Sequence, residues 1–232
     1  MAQNLNNFPL KSGEALEDLQ INNLKIIQNK NYYRFTSDSV LLSNFVKIGP
    51  KDNVLELCSG CGVISILINE KYKPKSVVGI DIDETLVDMA NRSLEFNNLT
   101  KIKFICDDAN SILNYAKRQS FDAIVCNPPY FILNQNEKVD IKKLNAKYEI
   151  KININQIFDV AEKSLKFGGK FFLCFTPTRI QELLSVATSY NFVLKKLQFV
   201  YSKNKQKLST LALCYFVKNG KNFCEVVEPK LV

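Results

Sequence analysis

From Asn53 onward, short runs rich in β-branched and other apolar residues alternate with longer segments whose apolar residues recur at helical spacing. Such alternation is typical of βαβ units, which build a parallel sheet. The pattern predicts seven strands, at residues 53–57, 76–81, 101–106, 121–126, 170–175, 193–200 and 209–217. It therefore favours an α/β fold with helices on both faces of one sheet.

Four helices are predicted between these strands: one from Val63 that Lys71 and Pro74 end, then 84–97, 154–167 before the Gly168-Gly169 pair, and 179–190. Residues 201–208 are too few for a helical crossover, so the last two strands should pair antiparallel as a hairpin. The expected sheet is thus seven-stranded and mostly parallel, with one antiparallel edge strand.

Residues 1–50 differ in pattern, being rich in Asn and Lys, with an apolar run at 24–27 and a helix from Ser37 or Asp38 through Phe45. Either polar side chain can accept free amides of the first helical turn. We expect an extension packed on the core, followed by one main domain at 51–232, in a chain that forms a single domain overall. Residues 132–151 have the weakest pattern, and a loop of this length is often functional.

The amino-acid composition limits which partners and which catalytic groups this chain can use. The 232 residues carry 31 Lys and Arg against 23 Asp and Glu, a net charge of +8 that suits an anionic partner such as nucleic acid and equally suits a solvated surface. The sequence contains no histidine, which excludes Ser/His and Cys/His nucleophile pairs and an imidazole base.

The seven cysteines lie mostly in apolar runs, and only Cys58 and Cys61 form a C-x-x-C pair, so we expect reduced core thiols and no metal site. The sequence shows neither a secretory leader nor an apolar run long enough to span a membrane. We therefore expect a soluble, cytoplasmic monomer without a membrane partner.

A glycine loop lies between the first main strand and its helix, at Gly60 and Gly62, where a backbone without Cβ atoms can approach a ligand. Asp81 ends the next strand, 21 residues beyond Gly60, where a carboxylate suits ribose hydroxyls. Ser65 replaces the third glycine of a dinucleotide fingerprint, and the acidic Glu56 disfavours phosphate. A cationic ligand with a ribose, such as S-adenosylmethionine, fits this combination; a glycine turn needed only for packing is the alternative.

The third main strand ends at Asp107, Asp108 and Ala109, on the edge where open α/β sheets bind ligands. Asp108 or Asp107 can accept a hydrogen bond from an adenine amine. The alternative is that one of them caps the following helix, and one aspartate can serve each purpose.

The fourth main strand ends in Asn127-Pro128-Pro129-Tyr130. Two prolines fix two φ angles and remove two amide donors, leaving a rigid platform of acceptors. The Asn127 side-chain carbonyl and the Pro128 main-chain carbonyl can receive both hydrogens of an exocyclic NH2, and Tyr130 offers a ring for stacking. Such acceptors release the nitrogen lone pair and stabilise the charge that develops during transfer, without a general base. There are two alternatives to this interpretation: a proline turn that only closes the strand, and a reaction in which Cys126 acts as a nucleophile.

In this order, segments 56–62, Asp81, Asp107-Asp108 and 127–130 resemble the Rossmann-like class I S-adenosylmethionine-dependent methyltransferases that act on amines. Within that group the chain is similar to tRNA adenine N6-methyltransferases that modify the adenine beside the anticodon of valine tRNA. Residues 35–42 resemble that family's F-G-x-D-x-V-L-L helix, 127–131 its N-P-P-Y-F, 145–149 its A-R-H-E region and 163–171 its L-K-P-G-G-R-F, while Cys58 replaces the first loop glycine.

The resemblance implies a catalytic set, Asn127, Pro128, Pro129 and Tyr130, and a cofactor set for S-adenosylmethionine: Phe35, Asp38, Glu56, Cys58, Gly60, Gly62, Asp81, Ile82, Asp107, Asp108, Ala109 and Asn127. The implied partner is tRNA. Lysines on two loops are candidates for its phosphates, namely Lys138, Lys142, Lys143, Lys147, Lys203, Lys205 and Lys207. A solvated basic surface is the alternative for these lysines.

Two other substrates need the same platform: a protein glutamine amide and a guanine amine of ribosomal RNA. A DNA adenine methyltransferase would normally need a target-recognition domain, and glutamine methyltransferases carry a larger helical N-terminal domain than residues 1–50 allow. We therefore expect adenine in tRNA.

Overall fold

The computed structural model describes residues 8–32, 34–130, 149, 151–203 and 208–232. The strands are β1 Glu14–Asp18, β2 Lys25–Asn29, β3 Asn53–Leu57, β4 Ser76–Asp81, β5 Ile102–Cys106, β6 Phe121–Cys126, β7 Leu165–Phe175, β8 Phe192–Tyr201, β9 Leu211–Lys218, β10 Glu225–Val226 and β11 Lys230–Leu231. The α-helices are α1 Ser37–Phe45, α2 Val63–Tyr72, α3 Glu84–Asn97, α4 Ile154–Ser164 and α5 Ile180–Ser189; Ala109–Asn114 and Pro177–Arg179 form short 3-10 helices.

The main sheet has the order β5-β4-β3-β6-β7-β9-β8, and β10 and β11 pair with the outer edge of β8. Every neighbouring pair is parallel except those made by β9, which runs antiparallel to β7 and β8. The predicted α/β class, the seven strands and the closing hairpin are confirmed. The prediction placed the reversed strand at the edge of the sheet, and in this respect it is wrong. The reversed strand, β9, turns back from β8 and inserts between β8 and β7.

Apolar residues of the strands alternate between two cores, one on each face of the sheet. On β6, Ile124 faces a core closed by α4 and α5, whereas Val125 faces a core closed by α1, α2 and α3. Phe158 of α4 centres the first core, with its ring 5.2 Å from that of Phe171 and 5.5 Å from that of Phe216. The prediction of helices on both faces is therefore confirmed.

The end of α4 differs from the prediction. The helix ends at Ser164, and Leu165 already begins β7, so the Gly168-Gly169 pair lies in an irregular part of that strand rather than after a helix. The buried Lys218 donates its ammonium hydrogens to the carbonyls of Glu162 and Leu165. This cation satisfies carbonyls at the helix end, where a positive charge is favourable, and it comes from a strand distant in sequence.

The N-terminal segment forms a hairpin of β1 and β2 that packs on α3, where the Ile27 amide donates to Ser93 Oγ at 2.9 Å. The sequence indicated only the apolar part of β2. The predicted N-cap of α1 is wrong: Thr36 occupies the cap position and makes no side-chain capping bond. The Asp38 carboxylate instead accepts a hydrogen bond from the Tyr130 hydroxyl.

Candidate functional site

A cleft of about 380 Å³ opens at the carboxyl ends of β3, β4, β5 and β6. This is the edge at which open α/β sheets bind ligands. Residues from the glycine loop, from the ends of β4 and β6, from α1 and from the β8–β9 connection all line it. The volume is within the range of small-molecule sites.

The glycine loop forms one wall of this cleft. Its backbone turns sharply, with positive φ at Cys58 (55°), Gly60 (51°) and Gly62 (82°). The Gly60 amide donates to Asp81 Oδ2 at 2.7 Å, and Asp81 Oδ1 accepts from the Asp83 amide at 3.0 Å. Two backbone amides therefore fix the Asp81 carboxylate at the cleft, and each oxygen keeps lone-pair capacity for a ribose hydroxyl.

Glu56 lies beneath the loop and is almost fully buried. Its Oε2 accepts hydrogen bonds from the Ser65 amide, at 2.9 Å, and from the Ser65 hydroxyl. Burial raises the pKa of Glu56 to about 8. The two hydrogen bonds from Ser65 lower this pKa, but the effect of burial is larger. Ser65, which departs from the dinucleotide fingerprint, thus has a specific use here: it orients the carboxyl group that lines the cleft.

The raised pKa of Glu56 predicts a pH dependence of stability. Between pH 5 and 8 the folded chain retains a proton on Glu56 that the unfolded chain, with the usual pKa near 4.5, has released. Raising the pH through this window therefore opposes folding, by up to about 1.4 kcal/mol per pH unit. Urea unfolding at several pH values should show this decline in the ligand-free protein and a smaller one in Glu56→Gln. Equal slopes in both proteins would contradict the assignment.

Two residues of the predicted cofactor set, Asp107 and Gly62, lie outside the cleft lining. Asp107 instead accepts a hydrogen bond from the Tyr115 hydroxyl at 2.8 Å. Asp108 lines the cleft and also caps the following 3-10 helix, accepting from the Asn110 amide at 2.8 Å. Gly62 is required for packing, since a Cβ there would lie 2.2 Å from the Phe104 ring. Cofactor contact by the side chain of Asp107 is therefore not supported by the geometry.

All other members of that set line the cleft, as do all four residues of the tetrapeptide. Several residues that the sequence did not single out join them: Thr36, Ser39, Ser59, Cys61, Val63, Ile64, Ile80, Asp83, Leu86, Ile152 and Thr210.

The tetrapeptide at the end of β6 lines the same cleft, and α1 holds it at two points. Asn127 Nδ2 donates to Ser39 Oγ at 3.0 Å, and the Tyr130 hydroxyl donates to Asp38 Oδ2 at 2.8 Å. The Cys174 thiol donates to Asn127 Oδ1 at 2.9 Å. The Asn127 amide is thereby fixed at both ends, and Oδ1 keeps one lone pair for an incoming donor.

Most of the acidic and basic side chains that line the cleft are acidic. They are Asp38, Glu56, Asp81, Asp83 and Asp108, with Lys151 as the one basic residue among the lining positions that the structure describes. An acidic wall with a fixed carboxylate suits a ligand that carries positive charge and ribose hydroxyls. The residues present therefore fit S-adenosylmethionine.

Of the seven lysines proposed for nucleic acid, the structure describes one. Lys203 is exposed on the connection between β8 and β9 and does not line the cleft, although Thr210 of the same connection does. The others, Lys138, Lys142, Lys143, Lys147, Lys205 and Lys207, lie outside the described residues.

Most cysteines match the expected core thiols. Cys61, Cys126, Cys174 and Cys214 are buried and Cys58 is partly so, whereas Cys106 and Cys224 are exposed, contrary to the expectation. Burial raises the pKa of Cys61 to about 12 and that of Cys126 well above its ordinary value, so neither is a ready nucleophile.

Comparison with known proteins decides the family. Residues 36–208 match the family model of the methyltransferase small domain. The chain belongs to this family. It is a methyltransferase, and the predicted cofactor, S-adenosylmethionine, is confirmed at the family level.

Individual relatives are named for methylation of different substrates. A putative protein N5-glutamine methyltransferase of Methanocaldococcus jannaschii is 33% identical over 53% of this chain and 59% of that protein. The tRNA1(Val) (adenine(37)-N6)-methyltransferase of Vibrio campbellii is 19% identical over 85% of this chain and 80% of that one. Among solved structures, protein Atu636 of Agrobacterium tumefaciens, described as a predicted O-methyltransferase, has a TM-score of 0.66 at 15% identity, covering 83% of this chain and 86% of that one. The last likeness confirms the fold.

Two features are absent from the residues of this methyltransferase that the structure describes, a membrane-spanning helix and a metal site. No helix there combines the length and the apolar character that crossing a membrane requires. Within the same residues, no group of three or more acidic or cysteine side chains is arranged to hold a metal ion.

The Asp81 geometry predicts a loss of cofactor affinity on substitution. Asp81→Asn removes the charge that strengthens hydrogen bonds to ribose hydroxyls, and affinity for S-adenosylmethionine should fall about 10- to 100-fold. The matched control is Asp107→Asn, on the neighbouring strand end but outside the cleft, which should bind normally. Calorimetric titration measures both; equal losses would place the ribose elsewhere.

Proposed function

We propose that this methyltransferase transfers a methyl group from S-adenosylmethionine to the exocyclic N6 amine of an adenine in tRNA, beside the anticodon of valine tRNA. The observation that carries the proposal is the arrangement of the cleft. A rigid acceptor platform at Asn127 and Pro128 lines the same cleft as an acidic cofactor wall formed by Glu56, Asp81 and Asp108, and Lys151 adds a cation to the lining.

The cofactor wall positions the methyl donor. Asp81 would accept from the ribose hydroxyls, Asp108 from the adenine amine, and the Glu56 side would receive the cationic methionine part. Bound S-adenosylmethionine supplies an electrophilic methyl group attached to a sulfonium sulfur. When the carbon–sulfur bond breaks, the sulfur keeps the electron pair and the rest of the cofactor leaves as a neutral thioether. The residues on this wall hold the donor and take no part in bond making.

The platform activates the acceptor. An aromatic amine is a weak nucleophile because its lone pair is delocalised into the ring. Asn127 Oδ1 and the Pro128 carbonyl would accept hydrogen bonds from its two N–H groups. These hydrogen bonds favour the pyramidal nitrogen, whose lone pair forms the new nitrogen–carbon bond. Positive charge then develops on nitrogen, the same acceptors stabilise it, and one proton leaves to solvent. This explains how a chain without histidine can perform the reaction.

Tyr130 is suited to hold the target base. Its hydroxyl is fixed by Asp38, and its ring lies 6.1 Å from that of Phe175 in an edge-to-face arrangement. A ring anchored in this way can stack on a flat base that has been turned out of its strand.

Lys151 favours a nucleic acid over a protein substrate. Every other charged residue among the described lining positions is acidic, and Lys151 belongs to the same lining as Tyr130. A cation at this point suits the phosphate that accompanies an extruded nucleotide, whereas a neutral glutamine side chain needs none. The V. campbellii relative, which carries the adenine-N6 name, also matches along most of this chain.

Glutamine methylation is the second candidate. The M. jannaschii relative has the higher identity, and a side-chain amide presents two hydrogens to the same platform. A guanine amine of ribosomal RNA remains the third.

One assay separates these substrate classes. The protein is incubated with radiolabelled S-adenosylmethionine and, separately, with unmodified tRNA, ribosomal RNA, DNA and a peptide release factor. We expect label in tRNA, and Asn127→Ala should abolish it. Label mainly in the release factor would support the glutamine alternative and overturn the proposal, as would label in ribosomal RNA or DNA.

The position of Lys151 predicts a salt-dependent effect. Lys151→Gln should lower kcat/KM for tRNA about 3- to 10-fold and reduce the slope of log binding constant against log salt by about one. Lys103→Gln, on an exposed position of β5 outside the cleft, is the matched control and should change neither quantity. An unchanged salt slope in Lys151→Gln would show that Lys151 contacts no phosphate.

A further inference from the structure

Arg179 is the last residue of the 3-10 turn that follows β7, directly before α5, and all of its guanidinium donors are used. Nη1 donates to the Tyr130 carbonyl at 3.0 Å and to Glu149 Oε1 at 2.8 Å, and Nη2 donates to Glu149 Oε2 at 3.1 Å. Nη2 and Nε donate to the two carboxylate oxygens of Glu182, at 2.7 and 2.8 Å. A guanidinium has five N–H donors, so this one is saturated.

The surroundings keep this group fixed. The Arg179 side chain is only 14% exposed, and its guanidinium carbon lies 5.2 Å from the centre of the Phe175 ring, the same ring that Tyr130 meets edge-to-face. Hydrogen bonding to Glu182 and Glu149 raises the pKa of Arg179 above its ordinary value. A partly buried, planar group with all five donors engaged has little freedom to move.

These contacts fix Tyr130 at both ends. Arg179 holds its carbonyl, at the chain end of the residue, and Asp38 holds its hydroxyl, at the ring end. The ring that would stack on the target base is therefore fixed in position by two separate elements, α1 through Asp38 and the 3-10 turn after β7 through Arg179. Reacting groups must be held to within fractions of an ångström for efficient transfer.

We propose that Arg179 is a positioning residue for methyl transfer, which acts through Tyr130 and does not touch the cofactor. Glu149 orients the guanidinium toward the Tyr130 carbonyl. This inference rests on transfer taking place at the tetrapeptide, as proposed above. Only arginine has the planar fork that serves the carbonyl and two carboxylates together; lysine keeps the charge and loses this geometry.

The test uses Arg179→Lys in single-turnover methyl transfer with saturating cofactor. The rate should fall at least about tenfold, while the affinity for S-adenosylmethionine stays within about twofold. Arg92→Lys is the matched control: it changes an arginine whose side chain is also 14% exposed and which pairs with Glu14 and Asp88 outside the cleft lining, and its rate should remain within about twofold of the unchanged protein. Equal losses in both variants would overturn the inference.

A second measurement separates positioning from a general effect on stability. If Arg179 and Asp38 act on the same Tyr130 ring, the rate losses of Arg179→Lys and Asp38→Asn should be strongly non-additive in the double variant. Additive losses would contradict the inference. If Arg179→Lys does not fold, Glu149→Gln takes its place, and a rate unchanged in that variant would likewise contradict it.

The result also distinguishes this inference from the proposed function. If Asn127→Ala leaves transfer unchanged, the tetrapeptide is not the site of reaction and the proposed function fails. If Asn127→Ala abolishes transfer and Arg179→Lys does not slow it, only the role of Arg179 fails.

Discussion

Asn127→Ala should reduce the rate of methyl transfer by about 10²- to 10³-fold while leaving the affinity for S-adenosylmethionine nearly unchanged. The variant removes the acceptor that stabilises charge on the target nitrogen, an interaction that strengthens only as the new bond forms. In the proposed arrangement the methyl donor binds at Asp81 and Gly60, which this change does not touch.

Single-turnover kinetics and calorimetric titration measure the two quantities separately. Asp81→Asn is the informative counterpart, since it should weaken cofactor binding first. Because alanine leaves Ser39 and the Cys174 thiol without their partner, a thermal melt must show that the variant is folded at the assay temperature. If Asn127→Ala lost as much cofactor affinity as Asp81→Asn, our assignment of the two halves of the cleft would be wrong.

Gly62→Ala should destabilise the fold by about 3–5 kcal/mol, a large part of the stability of an ordinary domain. The φ of Gly62 is +82°, and a Cβ would lie 2.2 Å from Phe104 Cζ and 2.8 Å from two further ring atoms. Phe104 is itself buried on β5 and cannot swing away freely. The start of α2 and the end of the glycine loop would both have to shift.

Gly60→Ala is the matched control within the same loop. Its φ is also positive, at +51°, but the nearest atom to a Cβ is Leu86 Cδ1 at 4.0 Å. This variant should cost only the conformational strain, about 1–2 kcal/mol. Urea unfolding of both variants tests the comparison, and similar losses would mean that contact with Phe104 is not the reason for glycine at position 62.

The parts of this molecule that local pattern dictates were predictable. Strands β3, β4 and β6 and helix α3 have the predicted bounds, because their apolar periodicity agrees with their turn residues and caps. The tetrapeptide and Asp81 were found for a similar reason: Asp81 ends β4, the tetrapeptide directly follows β6, and parallel strands bring their carboxyl ends to one edge.

The parts fixed by contacts distant in sequence could not be predicted. The end of α4 depends on Lys218, 53 residues beyond Leu165, and the place of β9 depends on how the hairpin closes. Ser39 and Cys174 orient Asn127 from 88 and 47 residues away. Only Ser39 had a sequence signal, since it follows Asp38 in the helix that the family resemblance indicated.

The central claim, that the platform delivers a methyl group to adenine N6 of tRNA, is tested most directly by identifying the methylated atom. The protein is incubated with unmodified valine tRNA and S-adenosylmethionine carrying a deuterated methyl group, and the RNA is digested to nucleosides and analysed by mass spectrometry. We predict a trideuteromethyl group on N6 of the adenosine beside the anticodon, absent with Asn127→Ala. A trideuteromethyl group on guanosine, on a ring nitrogen or a ribose, or none in RNA alongside methylated glutamine in a release factor, would contradict the account.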